Sequence, residues 1–207
     1  MQIKRIVCAI VSVISMVLVM NVFQFSVIEG RAVANSTTAP TTAQRAIVAK
    51  KTVTYIINSP VKNRKIVSYF SKNRNGRPHK GTDYVSKTGS KAVYAFYKGM
   101  IVLKGYESSM GNYVVIKHNV SGKIIYSTYM HLKSYKNITG FVKAGRQIGT
   151  MGNTGHSFST HLHFQIGDAV PHVGTNVTFY NGDKMVANGY TFYNSERVIT
   201  TKFKIIK

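Results

Sequence analysis

The stretch "STHLHFQIG", residues 159–167, decides how the chain is read. Two histidines stand one residue apart inside an apolar run. If "THLHF" is a strand, His161 and His163 project from one face, and Leu162 and Phe164 from the other. The apolar pair would enter a core, and the imidazoles would line whatever lies opposite. Segments of the same texture surround it: "TVTYII", "KIVSYF", "AVYAFYKGMIVLKGY", "NYVVIKH", "KIIYSTYMHL" and "RQIGTMG". Each is short and rich in Val, Ile, Tyr or Phe, and Gly, Asn and Ser clusters separate them. That pattern predicts consecutive strands of an all-β sandwich or open barrel, with few or no helices. After Gly167, "TNVTFYNGDKMV" and "GYTFYNSERVITTKFKIIK" read as further strands or hairpins, with "NGD" as a turn.

The ends and the charge bound what such a domain can do. Lys4 and Arg5 precede an uncharged apolar run over residues 6–28, followed by Ala32 and Ala34 in an A-x-A arrangement. This is the layout of a secretory signal peptide cleaved after Ala34, and an uncleaved membrane anchor is the alternative. Residues 35–51, Thr/Ala-rich and without periodicity, read as a flexible linker. Residues 52–170 then form the main domain and 171–207 a C-terminal β extension. The single cysteine, Cys8, falls inside the signal, so an exported chain has no disulfide and relies on its core, a metal, or both. Lys and Arg number 28 against 6 acids, a net charge of +22. So basic a chain is drawn to polyanions, and outside a cell that means anionic wall polymers rather than nucleic acid.

The histidines carry the chemistry. H-x-H alone fits a solvent-facing edge strand as well as a metal site. "RPHKGTDYV" adds His79 and Asp83, and Asp83 is one of few acids in a cationic chain; "STYMHLKSY" adds His131. Each has an ordinary explanation alone, as a turn aspartate or a half-exposed histidine. Jointly, His79, Asp83 and His163 make three nitrogen and oxygen donors. Three ligands and one open place is the pattern of a catalytic zinc, whereas structural zinc closes its shell with four, often cysteines. His131 and His161 remain as acid/base candidates. No H-E-x-x-H is present, and neither Glu107 nor Glu196 sits in a matching context.

The segments "HKGTD" (79–83), "YMHL" (129–132) and "HLHF" (161–164), in that order, resemble the motif set of the lysostaphin-type (LytM-domain) zinc endopeptidases, which cut peptidoglycan cross-links. "SPVKNRK", "GMIVLKGYESSMGNYVVIKH" and "VKAGRQIGTMGNTGHSFSTHLHF" agree, so the resemblance spans about residues 54–167. It implies an antiparallel β-sheet core with a central groove and one zinc ion (Zn2+). It implies His79, Asp83 and His163 as ligands, with His131 and His161 as the pair beside the bound water. Two departures stand out. Thr160 occupies a place where the family often has proline, and "YESSMGNY" lacks the Gly-rich run of the glycyl-glycine cutters. The resemblance further implies a secreted, wall-associated enzyme acting as a monomer on peptide cross-bridges, as autolysin or bacteriolysin. The competing reading within the family is a non-catalytic wall-binding scaffold that activates another hydrolase; such members typically lose motif residues. A cationic nucleic-acid or membrane module explains the charge but not the order of histidines.

Overall fold

The computed structural model describes residues 54–74, 76–171 and 176–206. The expected signal peptide, 1–34, and linker, 35–51, lie outside them. Fourteen strands and one helix are described: β1 (Arg64–Ser68), β2 (Ser71–Arg74), β3 (Arg77–His79), β4 (Gly81–Ser86), β5 (Ala92–Tyr94), β6 (Gly99–Glu107), β7 (Gly111–Val120), β8 (Lys123–Tyr135), β9 (Gly140–Val142), β10 (Gln147–Met151), β11 (Leu162–Gly167), β12 (Val177–Tyr180), β13 (Lys184–Ala187), β14 (Tyr190–Tyr193) and α1 (Ser195–Thr201). Twelve strands join one sheet, whose long path runs β12-β13-β14-β11-β8-β7-β6-β9. The registered pairings among described strands are antiparallel, so the all-β antiparallel expectation holds.

The core follows from the alternation read in the sequence. Leu162 and Phe164 on β11 are fully buried. Phe164 stacks edge-on to Phe96, ring centroids 5.4 Å apart, and lies 5.0 Å from Tyr129. Burial of each such side chain contributes about 1.5–3 kcal/mol. This apolar layer fixes β11, and its opposite face is then free to carry polar chemistry. β4 and β8 flank that strand: His163 is registered against Asp83 on β4 and against Met130 on β8.

Two segments depart from the sequence reading. "TVTYII" keeps its alternation, with Tyr55 and Ile57 packed on the core and Ile56 exposed, but residues 54–57 join no strand ladder. Core packing and the Tyr55 hydroxyl, 2.6 Å from Ser121 Oγ, hold them, and Asn58 N–H anchors their end on the Phe96 carbonyl at 2.7 Å. At the other end, "SERVITT" is helix rather than strand. The Asn194 side chain accepts from the Arg197 N–H, capping the first turn, and Glu196 lies within it. β12–β14 do form antiparallel pairs, with "NGD" turning β12 into β13 at Gly182 (φ 84°). β14 hydrogen-bonds to β11, so this tail continues the main sheet.

Candidate metal centre

Three donor atoms from three strands meet at one point. His79 ends β3, Asp83 lies in β4, and His163 lies in β11. His79 Nε2 is 3.0 Å from Asp83 Oδ1, His163 Nδ1 is 2.9 Å from the same oxygen, and the two nitrogens are 3.1 Å apart. The sheet register sets this directly, since Asp83 and His163 are Cα partners. Gly81 makes the approach possible: a Cβ there would stand 2.6 Å from His163 Nε2 and from the Phe164 carbonyl. The glycine of "HKGTD" is thus the floor under the His163 ring.

The chemistry of the donors fits a metal ion. His79 Nδ1 lies 2.7 Å from the Tyr69 carbonyl, which can only accept, so Nδ1 carries the proton and Nε2 presents a lone pair. That lone pair faces a buried carboxylate. Burial alone would raise the Asp83 carboxyl, but the adjoining His163 and His79 imidazoles hold it below the usual carboxylate range. Lone pairs of a nitrogen and a carboxylate oxygen at 3.0 Å are satisfied by a shared cation. Ligands about 2.0–2.1 Å from one tetrahedral ion stand about 3.3 Å apart, close to the triangle seen. Among the described residues this is the group of His, Cys, Asp and Glu side chains placed to hold such an ion.

His131 and His161 stand beside the triangle, their rings 4.9 Å apart. His161 is held by an isolated bridge to Gly152, just before β11, with Nε2 3.7 Å from Asp83 Oδ1. Its Nδ1–H donates to the Ser159 carbonyl at 2.8 Å. His131 sits in β8 where the register with β7 slips between Tyr129 and Leu132, in a left-handed conformation (φ 60°). That geometry costs a non-glycine residue on the order of 1–3 kcal/mol. Its backbone N–H donates to the Met110 carbonyl at 2.8 Å and its Nδ1–H to the Thr154 carbonyl at 2.9 Å. Burial, then the neighbouring His163, push the His131 imidazole down to about 4, against the Thr154 bond. His131 therefore offers a bare Nε2, and His161, with Nδ1 on the Ser159 carbonyl, turns its Nε2 to the side of Asp83. Burial likewise lowers His163, with Asp83 opposing.

All five residues singled out in the sequence converge. What the sequence reading did not find are the backbone carbonyls of Tyr69, Thr154 and Ser159, which set three tautomers. A carbonyl leaves no mark on residue type. The glycines of "MGN" and "NTG" gave a partial signal: Gly111 (φ 66°) and Gly155 (φ 71°) pack backbone to backbone, bringing Met110 and Thr154 to His131. Glu107 is spent on its own turn. Its carboxylate accepts from Ser109, Met110 and Ser108 and is held down to about 2. Two openings of about 710 and 790 Å³ flank the cluster and share walls of Arg77, Pro78, His79 and His156. They form the groove expected on this face.

A His-Asp-His group that could hold a metal ion, with two further histidines beside it, thus lies on an antiparallel sheet. Residues 77–178 match the family model described as peptidase family M23, and the chain carries an M23, LytM-type peptidase domain. It is 34% identical over 116 residues to the peptidoglycan DD-endopeptidase ShyC of Vibrio cholerae, covering 53% of this chain and 26% of that protein. It is 37% identical over 89 residues to the DD-carboxypeptidase/endopeptidase Mpg of Neisseria meningitidis, covering 43% and 20%. The chain thus spans about a quarter or less of the length of these relatives. Lysostaphin of Staphylococcus simulans superposes with a TM-score of 0.51 at 23% identity, covering 72% of this chain and 55% of that one, a likeness of fold.

Proposed function

We propose that the chain is a secreted, zinc-dependent endopeptidase that hydrolyses peptide cross-links of bacterial peptidoglycan. The observation that carries this reading is the triangle of His79 Nε2, Asp83 Oδ1 and His163 Nδ1, 2.9–3.1 Å on a side, at the floor of an open groove. These three residues would hold the ion. Bound there, zinc supplies Lewis-acid polarisation of a carbonyl and lowers the pKa of a coordinated water to about 7. The remaining work falls to the protein. His161 and His131, each with Nδ1–H tied to a carbonyl, present Nε2 lone pairs that can take a proton from the attacking water. The ring that takes the proton can then return it through the same Nε2 to the leaving amine. The relatives' names, peptidoglycan DD-endopeptidase and DD-carboxypeptidase/endopeptidase, support the wall peptide as substrate. Outside the cell, the cationic surface would concentrate the enzyme on anionic wall polymers, an attraction that added salt weakens.

The test combines metal analysis with digestion of purified peptidoglycan and mass spectrometry of the new ends. The wild type should bind one zinc and release peptide ends, Gly-Gly or D-alanyl according to the wall. His163→Ala should lose metal and activity together. His161→Ala should keep the metal and lose turnover. Full turnover in either variant would defeat the assignment.

A further inference from the structure

The far edge of the sheet carries a second surface, separate from the histidine cluster. Register places Phe141 of β9 opposite Met100 of β6, and Met100 opposite Lys117 of β7. Directly opposed residues in antiparallel strands share a face, so these three form one row. Phe141 is 61% exposed, Met100 45% and Ile56 71%. Phe141 is also the wall common to two shallow depressions of about 400 and 250 Å³, one reaching Ile56 and Lys143, the other Met100, Lys117 and Ile124. Lys98 belongs to both. Lys98, Lys117 and Lys143 are exposed, and no Asp or Glu lines either depression.

Exposed apolar side chains ringed by lysines suit one partner chemistry. A soluble polyanion would satisfy the lysines and leave Phe141, Met100 and Ile56 in water. A bilayer with anionic head groups satisfies both, taking the apolar side chains to the acyl boundary and the ammonium groups to the phosphates. Thr54 also lines the Phe141 depression. We propose that the Ile56–Met100–Phe141 face, with Lys98, Lys117 and Lys143, docks the domain on an anionic lipid surface.

The chain contains no tryptophan, so one introduced indole reports its own surroundings. Phe141→Trp and, as a control on the hairpin tip between β13 and β14, Tyr190→Trp are made in the full chain. Both are mixed with phosphatidylglycerol/phosphatidylcholine vesicles, with phosphatidylcholine vesicles, and with soluble polyphosphate. Phe141→Trp should shift to the blue and be quenched by brominated acyl chains in anionic vesicles only, while Tyr190→Trp stays in water. Changing Lys98, Lys117 and Lys143 to Glu in the Phe141→Trp chain should abolish the shift. The proposal is overturned if indole 141 stays water-exposed on anionic vesicles, if indole 190 is quenched equally, or if the lysine changes leave the shift intact. A response to polyphosphate without bromolipid quenching also overturns it, in favour of a wall-polymer site. None of these readings depends on peptidase activity, so failure here leaves the hydrolase reading untouched.

Discussion

His118 and His131 share most of their local physics and differ in one lone pair. Both lie on long central strands, both are buried, and burial pushes both down to about 4. Each donates Nδ1–H to a backbone carbonyl, His118 to Lys98 at 2.8 Å and His131 to Thr154 at 2.9 Å. At His118 the remaining Nε2 is closed off: it accepts from Ser127 Oγ at 2.7 Å, and Ser127 in turn lies 3.3 Å from the Tyr129 hydroxyl, which accepts the Phe96 N–H. That chain starts and ends on backbone. At His131 the ring lines the groove instead, beside His161. A perturbed imidazole alone does not separate a structural histidine from a functional one; the destination of its second nitrogen does. The backbone agrees, since strain is stored at His131 (φ 60°), and His118 is not among the left-handed residues.

Asparagine at each position would break this comparison if it is wrong. His131→Asn should lower turnover by about 10²–10⁴-fold, the usual span for a lost acid/base group. Asparagine accepts a left-handed φ, so the melting temperature should hold or rise. His118→Asn should do the reverse, leaving the Ser127 hydroxyl without its acceptor at a cost of about 1–3 kcal/mol, with activity per folded molecule unchanged. Turnover and thermal melts on both variants decide it, and equal effects on both would erase the distinction. Acid sharpens it further. The unfolded chain takes a proton at His118 near pH 6.5, whereas the folded chain resists until about 4. Between those values the unfolded state binds more protons, so stability falls as pH falls, by about 3 kcal/mol across the window. Denaturant melts with chelator present should show this slope in the wild type and a flatter one in His118→Asn.

The sequence made the site more legible than the scaffold around it. His79, Asp83, His131, His161 and His163 are rare side chains whose spacing carries information, and strand alternation put His163 on the polar face. Alternation also delivered Leu162 and Phe164 to the core. It failed at "TVTYII", because the period reports which side chains are buried and not whether the backbone finds a ladder partner. It failed again at "SERVITT", because a seven-residue helix is decided by its Asn194 cap and by packing rather than by a repeating stripe. The carbonyls of Tyr69, Thr154 and Ser159 were beyond reach for a simpler reason. Every residue has one, and only the fold selects which is aimed at an imidazole.

Gly81 and Thr154 test how tightly the open lone pairs are held. Gly81→Ala puts a methyl group where His163 Nε2 and the Phe164 carbonyl already stand, so the ring must tilt away from Asp83. Zinc affinity should fall by about 10–100-fold, the range seen when a ligand's support is disturbed, as measured by competition with a chromogenic chelator. An unchanged affinity would mean the ring has slack the packing does not show. Thr154 is the gentler probe. Its Oγ1 accepts the Asn112 N–H at 3.0 Å and donates to the Leu132 carbonyl at 2.8 Å, locking the loop whose own carbonyl orients His131. Thr154→Val keeps that carbonyl and removes the lock. It should cost about 1–2 kcal/mol of stability. Turnover should fall by less than in His131→Asn, with KM little changed, because the ring loses order without losing its nitrogen. Thr154→Ser restores the hydroxyl and should restore both. If Thr154→Val leaves turnover at the wild-type value, the carbonyl needs no help to hold His131, and the bulge conformation by itself aims the imidazole.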